Sequence, residues 1–504
     1  MAGATQSLQS LWAATPKSES IVELLRLEGQ ILNMDRMQET TERLKRFSQT
    51  HLLVGAEKLS AQALTRFLNQ INSLPLEELA DMLAQTSSQK SRDLSVLTPP
   101  NVIRYDTASA ADFRAAGEQM IRRGQVAAFT VAGGQGTRLG WRGPKGTYPA
   151  TVVTGKPLFR VFAEQILASE RRYSVRIPWF IMTSPQNDSD TRAFFADNNY
   201  FGRQKYEHVF IPQGVVPCTD ADGNILMSAA GEIATNPDGH GGAIRALHNS
   251  GALKEMSARG ITQVSYFQID NPLVRAIDPI FLGAHVGAAG TSGEMSSKCV
   301  PKRNAAEKVG VLCNIPTAAG SRTTVIEYSD LPHAMAHQRD AAGELAFGAA
   351  NIAVHVLSVE FAMRLAISGD TQLPWHRAHK KVPCFDAATG AHKQPDKPNA
   401  YKFECFIFDA LPLARSSITL QTSRMEEFAP IKNAEGEDSP ASSHRIQSDR
   451  NGAWLESVGV VIPRRTDGSV DAKIEIGPLA ALEANDLRNR TAIKSIRRGE
   501  EFVM

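Results

Sequence analysis

Long hydrophobic runs are missing from this chain. No stretch approaches the roughly 18 consecutive apolar residues of a membrane span, and the opening MAGATQSLQSLWAATPKSES lacks a basic start followed by an apolar core. Cysteine is scarce: Cys218, Cys299, Cys313, Cys384 and Cys405 are scattered, odd in number and free of CxxC or Cys/His spacing. That pattern argues against a disulfide framework and against structural zinc, and it fits a reducing compartment. Excess charge of one sign is absent too. With 55 Lys and Arg against 53 Asp and Glu, there is no electrostatic ground for a nucleic-acid or anionic-membrane partner. The expectation is a soluble cytoplasmic protein that meets any anion locally; the sequence sets no oligomeric state.

What is present is size and a change of pattern. A chain of 504 residues is too long for one ordinary core and predicts two or three domains. From about residue 18 to 85 the apolar spacing is helical, opening with Ser20 three residues before Glu23, a capping box. The polar stretch TSSQKSRDLSVLTPP (86–100) ends in two prolines that cannot continue a helix, which predicts a helical N-terminal region over 1–100. Beyond it, short apolar runs alternate with helical stretches: VAAFTVA (126–132), IPWFIMT (177–183), HVFIP (208–212) and VSYFQID (264–270). Such runs read as buried parallel strands, so 101–384 is expected to be an α/β domain with a mostly parallel, Rossmann-like sheet. After about Cys384, turn-rich segments give way to β-like pieces such as SVGVVIP and AKIEIGP, predicting a small mixed C-terminal domain over 385–504.

The most informative stretch is TVAGGQGTRLGWRGPKGTYPA, Thr130 to Ala150. It turns a predicted strand into glycines at the place where open α/β sheets meet their ligands. Gly133, Gly134 and Gly136 can adopt positive φ and leave N–H groups open to anionic oxygens or the edge of a base. The dinucleotide fingerprint finds Leu139 where its third glycine belongs, and no Gly-Lys-Ser/Thr completes a Walker loop, which excludes both readings. Pro144 stiffens the turn, and Lys145 can bring a compact positive charge to phosphates.

VAGGQGTRLGWRGPKGTYP resembles the signature of eukaryotic-type UTP:sugar-1-phosphate uridylyltransferases (UDPGP type 1), a family that includes the UDP-N-acetylglucosamine pyrophosphorylases. Further segments resemble it in the same order over about residues 125–445, among them VFIPQGVVP, NPDGHGGAIRAL, QIDNPLV, EKVGVLC, FGAANIAVH, QPDKPNAYKFECFIFD and EFAPIKNAEGEDSP. The resemblance implies a nucleotide-diphospho-sugar transferase fold. It also implies attack of a sugar-1-phosphate oxygen on the α-phosphorus of UTP, with pyrophosphate leaving.

Residue by residue, the resemblance places Lys145 and Lys432 on the phosphates, and Asp270 on a magnesium ion that bridges them. It places Ala132, Gly133, Gly134, Gly136, Thr137, Arg138, Gln213, Gly239 and His240 on the nucleotide. The sugar falls to Gly241, Asn271, Gly310, Glu327, Asn351, Phe406 and Phe408. From the residues alone, Gly239, Gly241 and Gly242 precede a helical pattern, so N–H groups and a positive helix end can face phosphate or sugar. Phe406 and Phe408, two apart, would share one side of a strand. His240 stands where the N-acetylglucosamine branch carries asparagine and resembles glucose-type enzymes. QPDKPNAYKFECFIFD and AANIA resemble the amino-sugar branch instead, so N-acetylglucosamine 1-phosphate is the leading acceptor, with glucose 1-phosphate or broad specificity as the alternative. A catalytically silent UDP-sugar binding protein would be marked by loss of Lys145, Asp270 or Lys432, and all three are present.

Overall fold

The computed structural model describes residues 35–87, 93–318, 320–367, 373–488, 490 and 492–504. The Ser20/Glu23 capping box lies outside them, as do residues 88–92 of the polar boundary stretch. The chain forms two compact units, drawn differently from the expected division at residues 100 and 384. One unit combines 1–90, 215–238 and 375–404; the other combines 91–214, 239–374 and 405–504.

In the larger unit a sheet is built from β1 (Val102–Arg104), β2 (Val126–Val131), β3 (Trp179–Thr183), β4 (His208–Pro212), β5 (Gln263–Gln268), β6 (Met295–Pro301), β7 (Val311–Thr317), β8 (Gly320–Ile326), β9 (Ala349–Ser358) and β10 (Thr419–Gln421). The path is β1-β10-β6-β9-β5-β2-β3-β4, with β7 pairing β8 and β9. Every strand of the path is parallel to its neighbours except β9, which is antiparallel to both β6 and β5. The four apolar runs legible in the sequence are β2, β3, β4 and β5.

The strands read as unbroken apolar runs because both faces of the sheet are covered. On β2 and β3, Val126, Ala128, Trp179 and Ile181 face one apolar layer, and Ala127, Phe129, Phe180 and Met182 face the other. The helices α1 (Ala110–Arg122), α2 (Leu158–Tyr173) and α3 (Asp188–Asp197) supply residues to the first layer, whereas α4 (Gly242–Asn249) and α5 (Ala252–Ala258) supply the second. Two more helices, α6 (Pro279–Gly287) and α7 (Val359–Ile367), extend the first and second layers respectively. Each large side chain so buried contributes about 1.5–3 kcal/mol.

Helix α8 (Pro440–Glu456) leads into a small apolar cluster of its own around Trp454, Ile474 and Leu487. AKIEIGP supplies a strand there, Lys473–Glu475, while SVGVVIP makes only an isolated bridge at Val461.

The smaller unit contains helices over residues 35–46, Ala61–Ser73 and Leu76–Ser87 together with short strand pairs from 215–238 and 375–404. Segments distant in sequence join because their polar groups interlock: the Gln49 carboxamide donates to Gly223 O at 3.0 Å and accepts from Ile225 N at 2.9 Å. No described helix is long and apolar enough to cross a membrane.

Candidate active site

The glycine turn leaves the carboxyl end of β2, and its first links are to neighbouring strands. Ala132 N donates to Met182 O at 2.7 Å, while Gln213, just past β4, donates its N–H to Thr183 O at 2.9 Å. A Cβ on Gly133 would lie 2.3 Å from Gln213 Oε1, so glycine there lets the loop close onto the carboxamide. At Gly136 a Cβ would strike Trp141, whereas at Gly134 it would meet nothing within 4 Å. None of the three adopts positive φ; in this loop that conformation belongs to Gly140 and Gly143. Their value is close packing at two positions and an open backbone at the third. Thr137 and Arg138 stand exposed on the outer turn.

A residue that sequence reasoning missed holds this loop. Asn187 is fully buried before α3; its amide donates to Ala132 O at 2.9 Å and Gly134 O at 3.4 Å, and its Oδ1 accepts from Ser184 N at 2.8 Å. The available signal was its place ahead of a helix, where asparagine bonds backbone.

Lys145 returns to the same loop, its N–H bonded to Gly134 O at 3.0 Å. Its amine stands 3.6 Å from Asp270 Oδ2, just beyond β5. The two candidate phosphate and metal residues are therefore brought together at the strand ends. Asp270 O also accepts from Ile431 N at 2.8 Å, which draws the segment before Lys432 to the same edge. The Lys432 amine itself lies 3.9 Å from Asp438 Oδ2 and over the Phe428 ring. Burial raises the Asp438 pKa, an effect that Lys432 opposes.

Asn271 turns out to clamp this segment rather than stand open for a sugar. Its amide donates to Glu427 O at 2.7 Å, its Oδ1 accepts from Ala429 N at 3.0 Å, and it is buried.

Because β9 runs against β5, its first residues reach the same edge of the sheet. Asn351 N donates to Gly310 O at 2.9 Å, and a Cβ on Gly310 would lie 3.6 Å from Glu327 Oε1, so Gly310, Glu327 and Asn351 form one group. A bulge in the β6–β9 pairing accompanies it, with Ala353 at φ 55° and its N–H held by Asn351 Oδ1 at 3.0 Å.

His240, Phe406 and Phe408 form a third group. The imidazole stacks on Phe406 with centroids 5.2 Å apart, and Nδ1 accepts from Ile407 N at 3.1 Å. Phe406 and Phe408 do not share a strand as expected: the strand ends at Glu404, and a tight helical turn over Ile407–Leu413 still sets the rings 5.1 Å apart.

Two of the N–H groups at the start of α4 are engaged: Gly241 donates to Cys405 O at 2.8 Å and Gly242 to Gly239 O at 3.1 Å. A Cβ on Gly241 would press 2.6 Å from the Cys405 carbonyl carbon, which explains the glycine by packing.

Comparison with known proteins follows this geometry. A probable UDP-N-acetylglucosamine pyrophosphorylase of Schizosaccharomyces pombe is 35% identical over 422 residues, covering 81% of this chain and 86% of the relative. The UDP-N-acetylglucosamine pyrophosphorylase of Saccharomyces cerevisiae is 32% identical over 84% of this chain and 88% of its own. A crystal structure of the Trypanosoma brucei enzyme of that name superposes with a TM-score of 0.77 at 26% identity, covering 92% of this chain and 98% of the other. The model of the family described as UTP–glucose-1-phosphate uridylyltransferase matches residues 76–443, which span the glycine turn, Asp270 and Lys432, and this chain belongs to that family.

Proposed function

We propose that this uridylyltransferase converts UTP and N-acetylglucosamine 1-phosphate to the UDP-sugar and pyrophosphate. The observation that carries the reading is the Lys145–Asp270 pair, with Lys145 bonded through its N–H to the Gly134 carbonyl of the glycine turn. The names of the relatives supply the sugar.

The reaction joins two anions, so catalysis rests on positioning and on charge placed where it develops. Gly134 and Gln213 read the uracil edge; a carboxamide offers both donor and acceptor to an imide-like base. Lys145 carries the charge of the triphosphate and the departing pyrophosphate. Lys432 leaves Asp438 and reaches the α-phosphate when substrates draw its segment inward. Glu327, Asn351 and the Gly310 backbone hold sugar hydroxyls, and the Phe406 and Phe408 rings wall the 2-substituent.

Among the described residues no group of three or more His, Cys, Asp or Glu side chains could hold a metal. The donor set fits a hard cation that takes one carboxylate, Asp270, and fills its remaining positions with water and phosphate oxygens, as magnesium does. When bound, magnesium supplies charge neutralisation on those oxygens. The five free cysteines support a reducing, cytoplasmic setting.

His240 and the family description favour a second reading, glucose 1-phosphate. Pyrophosphate release with each sugar phosphate, compared as kcat/KM, decides: preference for the acetylated sugar supports the main reading, and preference for glucose replaces it. Release with neither sugar phosphate would remove both.

A further inference from the structure

Away from the Lys145–Asp270 pair, the larger unit contains a cavity of about 80 Å³. Its walls are α2, residues 272–279, α8 and the 475–483 segment. One water needs about 10–15 Å³ by the same measure, so the space exceeds a single solvent molecule.

Four of its basic side chains have carboxylate partners: Arg114 and Arg172 with Glu483, Lys156 with Glu164, and Arg275 with Glu426. Arg450 pairs with no carboxylate among the described residues. Its Nε and Nη2 donate to Asn451 Oδ1 at 3.3 and 3.2 Å, and the Trp454 ring lies 4.5 Å from its guanidinium carbon. No described acceptor takes the Nη1 hydrogens. Burial pulls the Arg450 pKa down to about 10; Glu426 and Glu427 act against this from a distance, and Arg275 adds to it. Arg450 is half-buried, and a planar guanidinium lining a cavity with donors left over matches the paired oxygens of a phosphate or carboxylate.

We propose that this cavity is a binding site for a small oxyanion, held by Arg450. The walls give the site a route to catalysis: residues 272–279 begin just after Asp270, and α8 begins just after the Lys432–Asp438 segment. An anion that bridges them braces the two segments on which the lysine and the carboxylate are mounted.

Crystals soaked in selenate test the location, and thermal unfolding in inorganic phosphate against chloride at equal ionic strength tests the affinity. The expected results are an anomalous peak within hydrogen-bond reach of Arg450 and a phosphate-induced rise in Tm. Arg450→Gln should lose more than half of that rise, and Arg450→Lys, which keeps the charge, should retain most of it. Phosphate bound elsewhere contributes equally to all three proteins and cancels. A full rise in Arg450→Gln, or selenate density everywhere but at this cavity, would overturn the proposal. Should Arg450→Gln not fold, the soak of the parent protein and the lysine variant still decide.

Discussion

Two lysines of this chain face carboxylates in opposite ways. Lys298 is fully buried, its amine 2.6 Å from Glu427 Oε2 and hydrogen-bonded to Asp278, and Thr422 donates to the same Glu427. Lys145 and Asp270 keep 17% and 14% of their side chains exposed and stand 3.6 Å apart, beyond a hydrogen bond. The first cluster has its polar atoms met from within and ties β6 to the segments holding Asp278 and Glu427. The second leaves hydrogen-bonding capacity for something that arrives from outside. The same residue types serve structure or chemistry according to how completely the chain satisfies them.

The largest effect expected from this contrast is on stability. Lys298→Met removes the charge between two buried carboxylates and should cost about 3–5 kcal/mol, read as a lower urea midpoint. A midpoint within error of the parent would break the comparison, because the buried cluster would then hold nothing.

Lys145→Ala should do the reverse. Folding stability should move by no more than about 0.5 kcal/mol, while kcat falls about 10²–10³-fold, as when one preorganised donor to developing charge is lost. Equal losses in UTP binding and kcat would reassign Lys145 to ground-state binding.

Acid should separate the buried groups next. Burial acts to raise the Asp278 pKa, but Lys298 and Arg275 outweigh it and hold the folded value below 3.8. Its contribution to stability is therefore present above the unfolded pKa and lost as pH falls through the depressed folded one. Burial alone pulls His285 to about 4; at His355 burial, reinforced by His240, gives about 3. Their unfolded forms take up protons from about pH 6.5 downward, so stability already declines there. Tm measured from pH 8 to pH 4 should fall first below about 6.5; a flat profile over that range would contradict the neutral buried histidines.

Legibility divides along the same line. Strands buried on both faces announce themselves as apolar runs, so β2 to β5 could be read directly, and the fold brings Lys145 and Asp270, singled out in the sequence, within 3.6 Å of each other. The smaller unit could not be read this way, because 215–238 and 375–404 join the N-terminal helices through polar interlocks such as Gln49 with the 223–225 turn, which leave no period in the sequence. The resemblance put Asn271 on the sugar, and its bonds to Glu427 O and Ala429 N have no sequence signal, because those partners lie 156 and 158 residues away. Asn187 was missed for the same reason. Its replacement by alanine leaves the Ala132 carbonyl without that donor and should cost about 1–3 kcal/mol, with a raised KM for UTP as the loop loosens.

The smallest effect belongs to His240, where structure and specificity overlap. Asparagine at this position can present Oδ1 to the Ile407 N–H, as the imidazole Nδ1 does at 3.1 Å, so the backbone link survives His240→Asn. The stack on Phe406 does not survive. An aromatic pair of this kind is worth about 0.5–1.5 kcal/mol, which bounds the change in sugar preference at about tenfold. Freed of the stack, the Phe406 ring can move away from the 2-substituent, so the shift should favour the acetylated sugar in the ratio of kcat/KM values. An unchanged ratio would place His240 with Lys298, as a group whose interactions end inside the protein.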